Sequence, residues 1–397
     1  MDIKKRKFIY ITPTVLFEMA FLFMYVSGFI GSTSFKYLAF FSNGRIQDVL
    51  NLFGIAVLIL KFVMEFSITI RRMIISLLMI GVGVGIFIKT HSIEPLLVIL
   101  LGVSTDSVEL KGFLRFSMLT AVISIIFMIF MSKVGVLYNF TYLRDGHLRQ
   151  ALGDTYPTGL SSRVTFIFMM WWLLTKFKVN IKKSVLTIFV ALVVNNLTNS
   201  RVDFVILLTL GLTPFLVNGF RLKKWKKWML SLAGIFPVLM YIAMNVFVHF
   251  YRLGMPAAYK LDGLVSNRIM YSSQGLNDFS SKTLFGQIVP MVGSGGLNGY
   301  VNSNTNFLKY FFIDNAYIYV LLVYGILFLV AIFAVYFFAN LRLVLNGEYA
   351  FPVLLVLLSL HWFVNQYIVS YYYSPFFILG MAFVLGKPDQ IREFVER

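Results

Sequence analysis

Residues 184–220 read SVLTIFVALVVNNLTNSRVDFVILLTLGLTPFLVNGF. Two apolar runs, about 184–198 and 203–220, flank a tight turn at Asn199-Ser200-Arg201. Each run approaches the roughly 20 residues that carry a helix across a bilayer. Lys176, Lys178, Lys182 and Lys183 precede the pair, and Arg221, Lys223, Lys224, Lys226 and Lys227 follow it. Basic loops stay on the cytoplasmic side. The stretch therefore reads as a transmembrane hairpin whose turn faces outward.

The rest of the chain repeats this pattern. Of 397 residues, 59% are hydrophobic and 13% charged, against about 25% charged in a soluble domain. Apolar segments recur at about 8–30, 48–67, 73–88, 93–105, 114–134, 161–176, 184–198, 203–220, 229–248, 314–338, 350–368 and 371–386. The expected fold is an all-α polytopic membrane protein, a single membrane domain over 1–397 with about 12 transmembrane helices. The first apolar run, Phe8 to Ile30, is long and is read as lacking a small-residue cleavage site, which disfavours a cleaved signal peptide.

Charge sets the orientation. Lys and Arg number 35 against 17 Asp and Glu. In a soluble protein that excess would suggest nucleic acid; here it reads as topogenic charge, with no nucleic-acid partner. Starting inside after Lys4-Lys5-Arg6-Lys7, twelve spans place 21 Lys and Arg on cytoplasmic segments and 13 outside. Both termini are then cytoplasmic. Removing the short span at 93–105 would turn the five-charge loop after 220 outward. No cysteine is present, which excludes disulfides, thiolate metal sites and cysteine nucleophiles.

The largest polar unit is the extracytoplasmic loop 249–309, between spans nine and ten. It holds Arg252, Lys260, Asp262, Arg268, Asp278 and Lys282. So long a loop is usually functional or disordered. Its apolar segments Leu264–Met270 and Leu284–Val292 are helix-compatible and favour a folded cap. Gly293-Ser294-Gly295-Gly296-Leu297-Asn298-Gly299 fits neither phosphate-loop nor dinucleotide spacing and reads as a flexible turn. The four histidines lack ligand spacing, so no metal site is expected. Lys61 and Glu65, four apart, can pair on one helix face; Glu18 has no partner in sequence. Gly81, Gly83 and Gly85 suggest close helix packing. Arg201 is costly near a bilayer. It either snorkels or pairs with Asp203, or it faces a cavity as an anion site, where its planar fork suits phosphate.

Four stretches together resemble the Wzy-type polysaccharide polymerases and the related O-antigen ligases. Thr198-Asn199-Ser200-Arg201-Val202-Asp203 is similar to that family's Ser-Arg turn. Asn267-Arg268-Ile269-Met270-Tyr271, followed by Leu284-Phe285-Gly286, resembles its loop arginine. Asp314-Asn315-Ala316-Tyr317 with Tyr324-Gly325-Ile326-Leu327 is similar to the return of its large loop to the membrane. Arg149-Gln150-Ala151-Leu152-Gly153 with Tyr156-Pro157 is a fourth, weaker match. The pieces run in order along nearly the whole chain. Two positions depart from the family: Asp314 stands where related ligases often carry histidine, and Asp203 where a small residue is commoner.

The resemblance implies a glycosyltransferase in a bacterial cytoplasmic membrane. It would join undecaprenyl-diphosphate-linked repeat units on the outer face. Implied partners are the lipid-linked oligosaccharide, membrane lipid, a chain-length regulator and a flippase; no cofactor is implied. Loss of a diphosphate needs negative charge stabilised. Arg201 and Arg268 are the expected catalytic arginines, with Arg252 as third candidate. An acceptor hydroxyl needs a base, for which Asp314, then Asp278, then His249 are candidates. Asp203 and Asn315, inside two of the motifs, are further substrate-binding candidates. Two rival classes stay open. A flippase or transporter of lipid-linked sugars would favour two related halves, and no internal repeat is visible. A polytopic acyltransferase would favour a histidine-centred site.

Overall fold

The computed structural model describes residues 12–64, 69–144, 146–219, 228, 230–305 and 309–396. The basic runs at 4–7 and 221–227, and Glu65 of the expected Lys61–Glu65 pair, lie outside the described residues.

Each of the twelve apolar segments holds a helix. They are α1 (Pro13–Ser32), α2 (Arg45–Met64), α3 (Ile70–Thr90), α4 (Glu94–Val103), α5 (Leu110–Lys133), α6 (Pro157–Leu174), α7 (Ile181–Thr198), α8 (Arg201–Gly219) and α9 (Phe236–Arg252). Two cap helices follow, α10 (Pro256–Leu264) and α11 (Arg268–Asp278), and then α12 (Gly296–Thr305). A turn, α13 (Ala316–Tyr319), runs through a π-segment into α14 (Ile326–Leu345). The chain closes with α15 (Ala350–Trp362), α16 (Phe376–Leu385) and α17 (Pro388–Glu396). Among the described residues, seven helices are long and apolar enough to cross a membrane: α1, α2, α3, α5, α7, the run Leu230–Arg252 and α14. The protein is thus a mostly helical membrane protein. Among the described residues it carries one small sheet, an antiparallel hairpin of β1 (Thr141–Arg144) and β2 (His147–Gln150), which the all-α expectation omitted.

Local signals fix the hairpin that opened the sequence. The Asn180 side chain accepts from Lys183 N and starts α7, as an N-cap should. Asn199 takes a left-handed conformation (φ 46°) and stops α7, a conformation asparagine tolerates.

Loops segregate to two ends. At one end Ser34 N bonds Gly153 O, Gly296 N bonds Thr155 O, and Tyr142 Oη donates to Ser294 O. Arg268 Nε reaches Val364 O, and Asn315 Nδ2 reaches Phe363 O. At the other end Arg72 pairs with Asp106 at 2.7 Å, Lys387 with Asp106 at 3.6 Å and Lys176 with Glu348 at 3.8 Å. Lys61, buried, donates to Asp106 O at 2.8 Å, so its role is to tie α2 to the α4–α5 turn. Segments that the charge pattern assigns outside meet at the first end, and those it assigns inside meet at the second.

Three expectations change. First, Leu284–Val292 is not helical. Thr283 O and Leu284 O accept from Ile326 N and Leu327 N, so the segment satisfies amide groups that the first turn of α14 leaves without partners. Second, the glycine stretch is not a flexible turn. Gly296 opens α12, and Leu297 N donates to Tyr37 Oη at 2.8 Å. Third, spans eleven and twelve do not join by a short turn. Helix α15 ends at Trp362 and α16 begins at Phe376; the mostly buried segment 363–375 runs between them without regular structure.

Gly286 (φ +80°) and Gly325 (φ +89°) pack backbone against backbone, so that a Cβ on Gly286 would meet Val323 O and one on Gly325 would meet Leu284 O. This contact joins the Leu-Phe-Gly and Tyr-Gly motifs. Gly286→Ala should therefore cost about 1–3 kcal/mol in backbone strain, with a similar overpacking penalty on top. Gly254, also at positive φ (+74°) but in open space, supplies the control. Melting of the purified protein should fall much further for Gly286→Ala than for Gly254→Ala; equal shifts would show that the contact carries no weight.

Candidate functional site

A polar cavity of about 580 Å³ opens among the loops of the first end. Its charged lining is Lys36, Arg144, Arg149, Arg268 and Asp314, four cations against one carboxylate. Tyrosine is the commonest residue in the remainder, as Tyr156, Tyr271, Tyr310, Tyr367, Tyr372 and Tyr373. Tyr367 and Tyr373 stack with ring centroids 3.9 Å apart. Flat rings beside charged groups suit sugar faces and phosphate oxygens together.

Arg149, on β2, is 3% exposed. Its Nε donates to Thr198 O at 2.7 Å and its Nη1 to Tyr156 Oη at 3.1 Å. Its Nη2 is buried with no hydrogen-bond partner among the described residues. A buried cationic donor left unmatched is expensive, so the Arg149 guanidinium is held at a cost in stability.

Arg268 opens α11. The two residues before it, Ser266 and Asn267, both hold positive φ (59° and 63°), a conformation costly for serine and better tolerated by asparagine. The buried Asp262 carboxylate accepts from Ile269 N at 2.8 Å and Met270 N at 3.2 Å, which pins the first turn of α11. Arg268 then lies 3.7 Å from Asp314. Asp314 sits in the loop just before α13 with its side chain 29% exposed. Burial pushes its carboxyl up from the ordinary range, and the opposing pull of Arg268 is the smaller effect.

Beneath the cavity, Arg163 and Asp154 form a buried pair at 2.8 Å. Arg163 also donates to Ser32 Oγ (2.7 Å) and Tyr372 O (3.1 Å), and lies 4.1 Å from the Tyr373 ring. Arg163, Arg268 and Asn315 each hold a carbonyl of the irregular segment, at Tyr372, Val364 and Phe363. Non-helical backbone deep in a membrane protein needs such partners.

Of the sequence candidates, Arg268 and Asp314 line the cavity. Arg201 is exposed at the start of α8 and is not part of the lining; Arg149, bonded to the same turn through Thr198 O, stands there instead. Asp203 is fully buried. It accepts from Ser161 (2.6 Å), Ser162 (3.2 Å) and Ser200 (2.7 Å) and lies 2.9 Å from His361 Nε2, so it joins α6, α8 and α15 and does not face the cavity. Asn315 caps α13 through Ile318 N, a structural role. Arg252 binds Ser273 Oγ and Ser273 O, both at 3.0 Å, and braces α9 against α11. His249 and Asp278 are exposed at helix ends, away from the lining. Sequence reading missed Lys36, Arg144 and the Arg163–Asp154 pair, and placed Arg149 only within a weak motif. No group of three or more potential metal-ligating side chains occurs among the described residues.

No known protein family, no curated protein and no solved structure matches the chain.

Proposed function

We propose that the protein is a membrane glycosyltransferase that polymerises lipid-diphosphate-linked oligosaccharide repeat units at the outer face of a bacterial cytoplasmic membrane. The observation that carries this reading is the cavity itself. Arg149 and Tyr156 of one motif, Arg268 of a second and Asp314 of a third line it together, and Thr198 of the fourth holds Arg149 in place. Segments spread along most of the chain thus converge on one basic, tyrosine-rich chamber.

Twelve crossings fit the segregation of loops. With the N-terminus inside, each helix joins one loop end to the other in turn. The cavity then opens outward, and the Arg72–Asp106–Lys387 cluster faces the cytoplasm. Three of the twelve helices are short, α4 with 10 residues, α15 with 13 and α16 with 10. The shortness of α15 and α16 makes room for segment 363–375 beside the cavity.

In the proposed reaction the bond between the anomeric carbon and the diphosphate oxygen breaks. Its electron pair leaves on that oxygen, and the acceptor hydroxyl oxygen forms the new bond to carbon. Arg149 and Arg268 receive the developing phosphate charge, with Lys36 and Arg144 adding field at longer reach. Asp314 takes the acceptor proton. The tyrosines hold sugar rings. Asp203 and His361 secure the helices beneath.

Reconstituted protein given an undecaprenyl-diphosphate-linked oligosaccharide should yield a ladder of joined units and free lipid diphosphate. Movement of the substrate across the bilayer without joining would replace this reading with a transporter.

A further inference from the structure

At the end of the bundle opposite the cavity, two grooves run along either side of α3. The first lies between α2 and α3, encloses about 260 Å³ and is lined by Leu58, Phe62, Leu77, Ile80 and Leu100. The second lies between α3, α14 and α16, encloses about 700 Å³ and is lined by Ile75, Met79, Ala334, Phe338 and Leu341. Arg72 and Asp106 belong to both. The grooves therefore meet at one polar head.

That head is strongly basic. Among the described residues, Arg71, Arg72, Arg342 and Lys387 face a single lining carboxylate, Asp106, which Arg72 and Lys387 already share at 2.7 and 3.6 Å. Arg342 gives Nη1 to Phe383 O and Val384 O, which fixes its guanidinium at the groove mouth without neutralising it. Two like charges in one partly apolar recess repel unless an anion lies between them.

We infer that this is a binding site for an anionic diacyl phospholipid, with its phosphate between Arg71, Arg342 and Lys387 and one acyl chain in each groove astride α3. Charge selects an anionic headgroup. The apolar linings select chains over a soluble phosphate. The shared head with two grooves selects a lipid with two chains over a single-chain polyprenyl phosphate. The site is independent of the glycosyl-transfer reading, because none of its residues lines the outer cavity.

Native mass spectrometry of the detergent-purified protein tests it, with phosphatidylglycerol, phosphatidylcholine of the same chains, undecaprenyl phosphate and glycerol phosphate as probes. Phosphatidylglycerol should be retained preferentially. Arg71→Ala/Lys387→Ala should weaken its retention about thirtyfold without a change in melting, since both side chains are exposed. Ser76→Phe and Ala334→Trp, which fill one groove each, should each lower retention with the charges intact. Equal retention of phosphatidylcholine, an unaffected charge variant, or displacement by glycerol phosphate would overturn the site. Tighter retention of undecaprenyl phosphate, indifferent to Ser76→Phe, would overturn the diacyl assignment. If the groove variants fail to fold, the charge variant and the lipid comparison still decide.

Discussion

Replacing Arg149 and Arg268 by alanine is expected to abolish polymer while single repeat units accumulate on their lipid carrier. Each arginine alone should be worth roughly a hundred- to a thousand-fold in rate, the range for a donor that stabilises a developing oxyanion. Both side chains also brace backbone carbonyls, Thr198 O and Val364 O. Loss of such a bond alone should cost about 1–3 kcal/mol and lower the melting temperature. Glutamine separates the two roles, because it keeps a donor for the carbonyl and loses the charge. Arg149→Gln and Arg268→Gln should each lose roughly a hundred- to a thousand-fold in rate at near-normal membrane abundance and melting. Lysine should rescue poorly, since an ammonium lacks the paired donors that bridge phosphate oxygens. Arg201→Ala should be far milder, because Arg201 lies outside the cavity lining. Wild-type polymer from a well-expressed Arg149→Ala/Arg268→Ala protein would sink the proposal; inactive Arg201→Ala with active Arg149→Gln would return the anion site to the hairpin turn.

The contrast between Arg149 and Arg201 shows what the sequence conveyed. Segments of membrane length were legible because a bilayer needs long apolar runs and basic loops sort to one side. Arg201 drew attention because an arginine between two apolar helices is costly. Arg149 drew little, because a basic residue in a polar loop is ordinary; only burial to 3% and the unmatched Nη2 set it apart. Arg268 and Asp314 were legible through one motif inside the long loop and one just after it, but their approach to 3.7 Å depends on how that loop folds. Asp203 misled for a related reason. Its neighbour in sequence is Arg201, whereas Ser161, Ser162 and His361, from α6 and α15, surround its carboxylate. Apolar content extended spans eleven and twelve across segment 363–375, since buried irregular backbone has the same composition as buried helix. Its partners Arg163, Arg268 and Asn315 come from elsewhere in the chain, which no local pattern announces.

Asp314 carries the second large effect. Asp314→Asn should lower turnover roughly a hundred- to ten-thousand-fold if the carboxylate takes the acceptor proton. Its pH signature follows from its surroundings. Burial raises the carboxyl and Arg268 lowers it by less, so the group ionises above the ordinary aspartate value of about 3.9. A base works only when deprotonated. The rate should therefore be low in acid and rise to a plateau as pH passes the raised value. Arg268→Gln removes the opposing pull, so whatever activity remains should show its acid limb at still higher pH. Asp314→Asn should have no such limb. A role confined to orienting Arg268 predicts otherwise: Asp314→Asn would lose little, and the wild-type profile would not follow the carboxyl. An acid role would invert the sign, with the rate falling as pH rises through the same range. Initial rates with a short lipid-linked unit, taken across pH for the wild type and both variants, separate the three, and a flat wild-type profile would remove Asp314 from the chemistry.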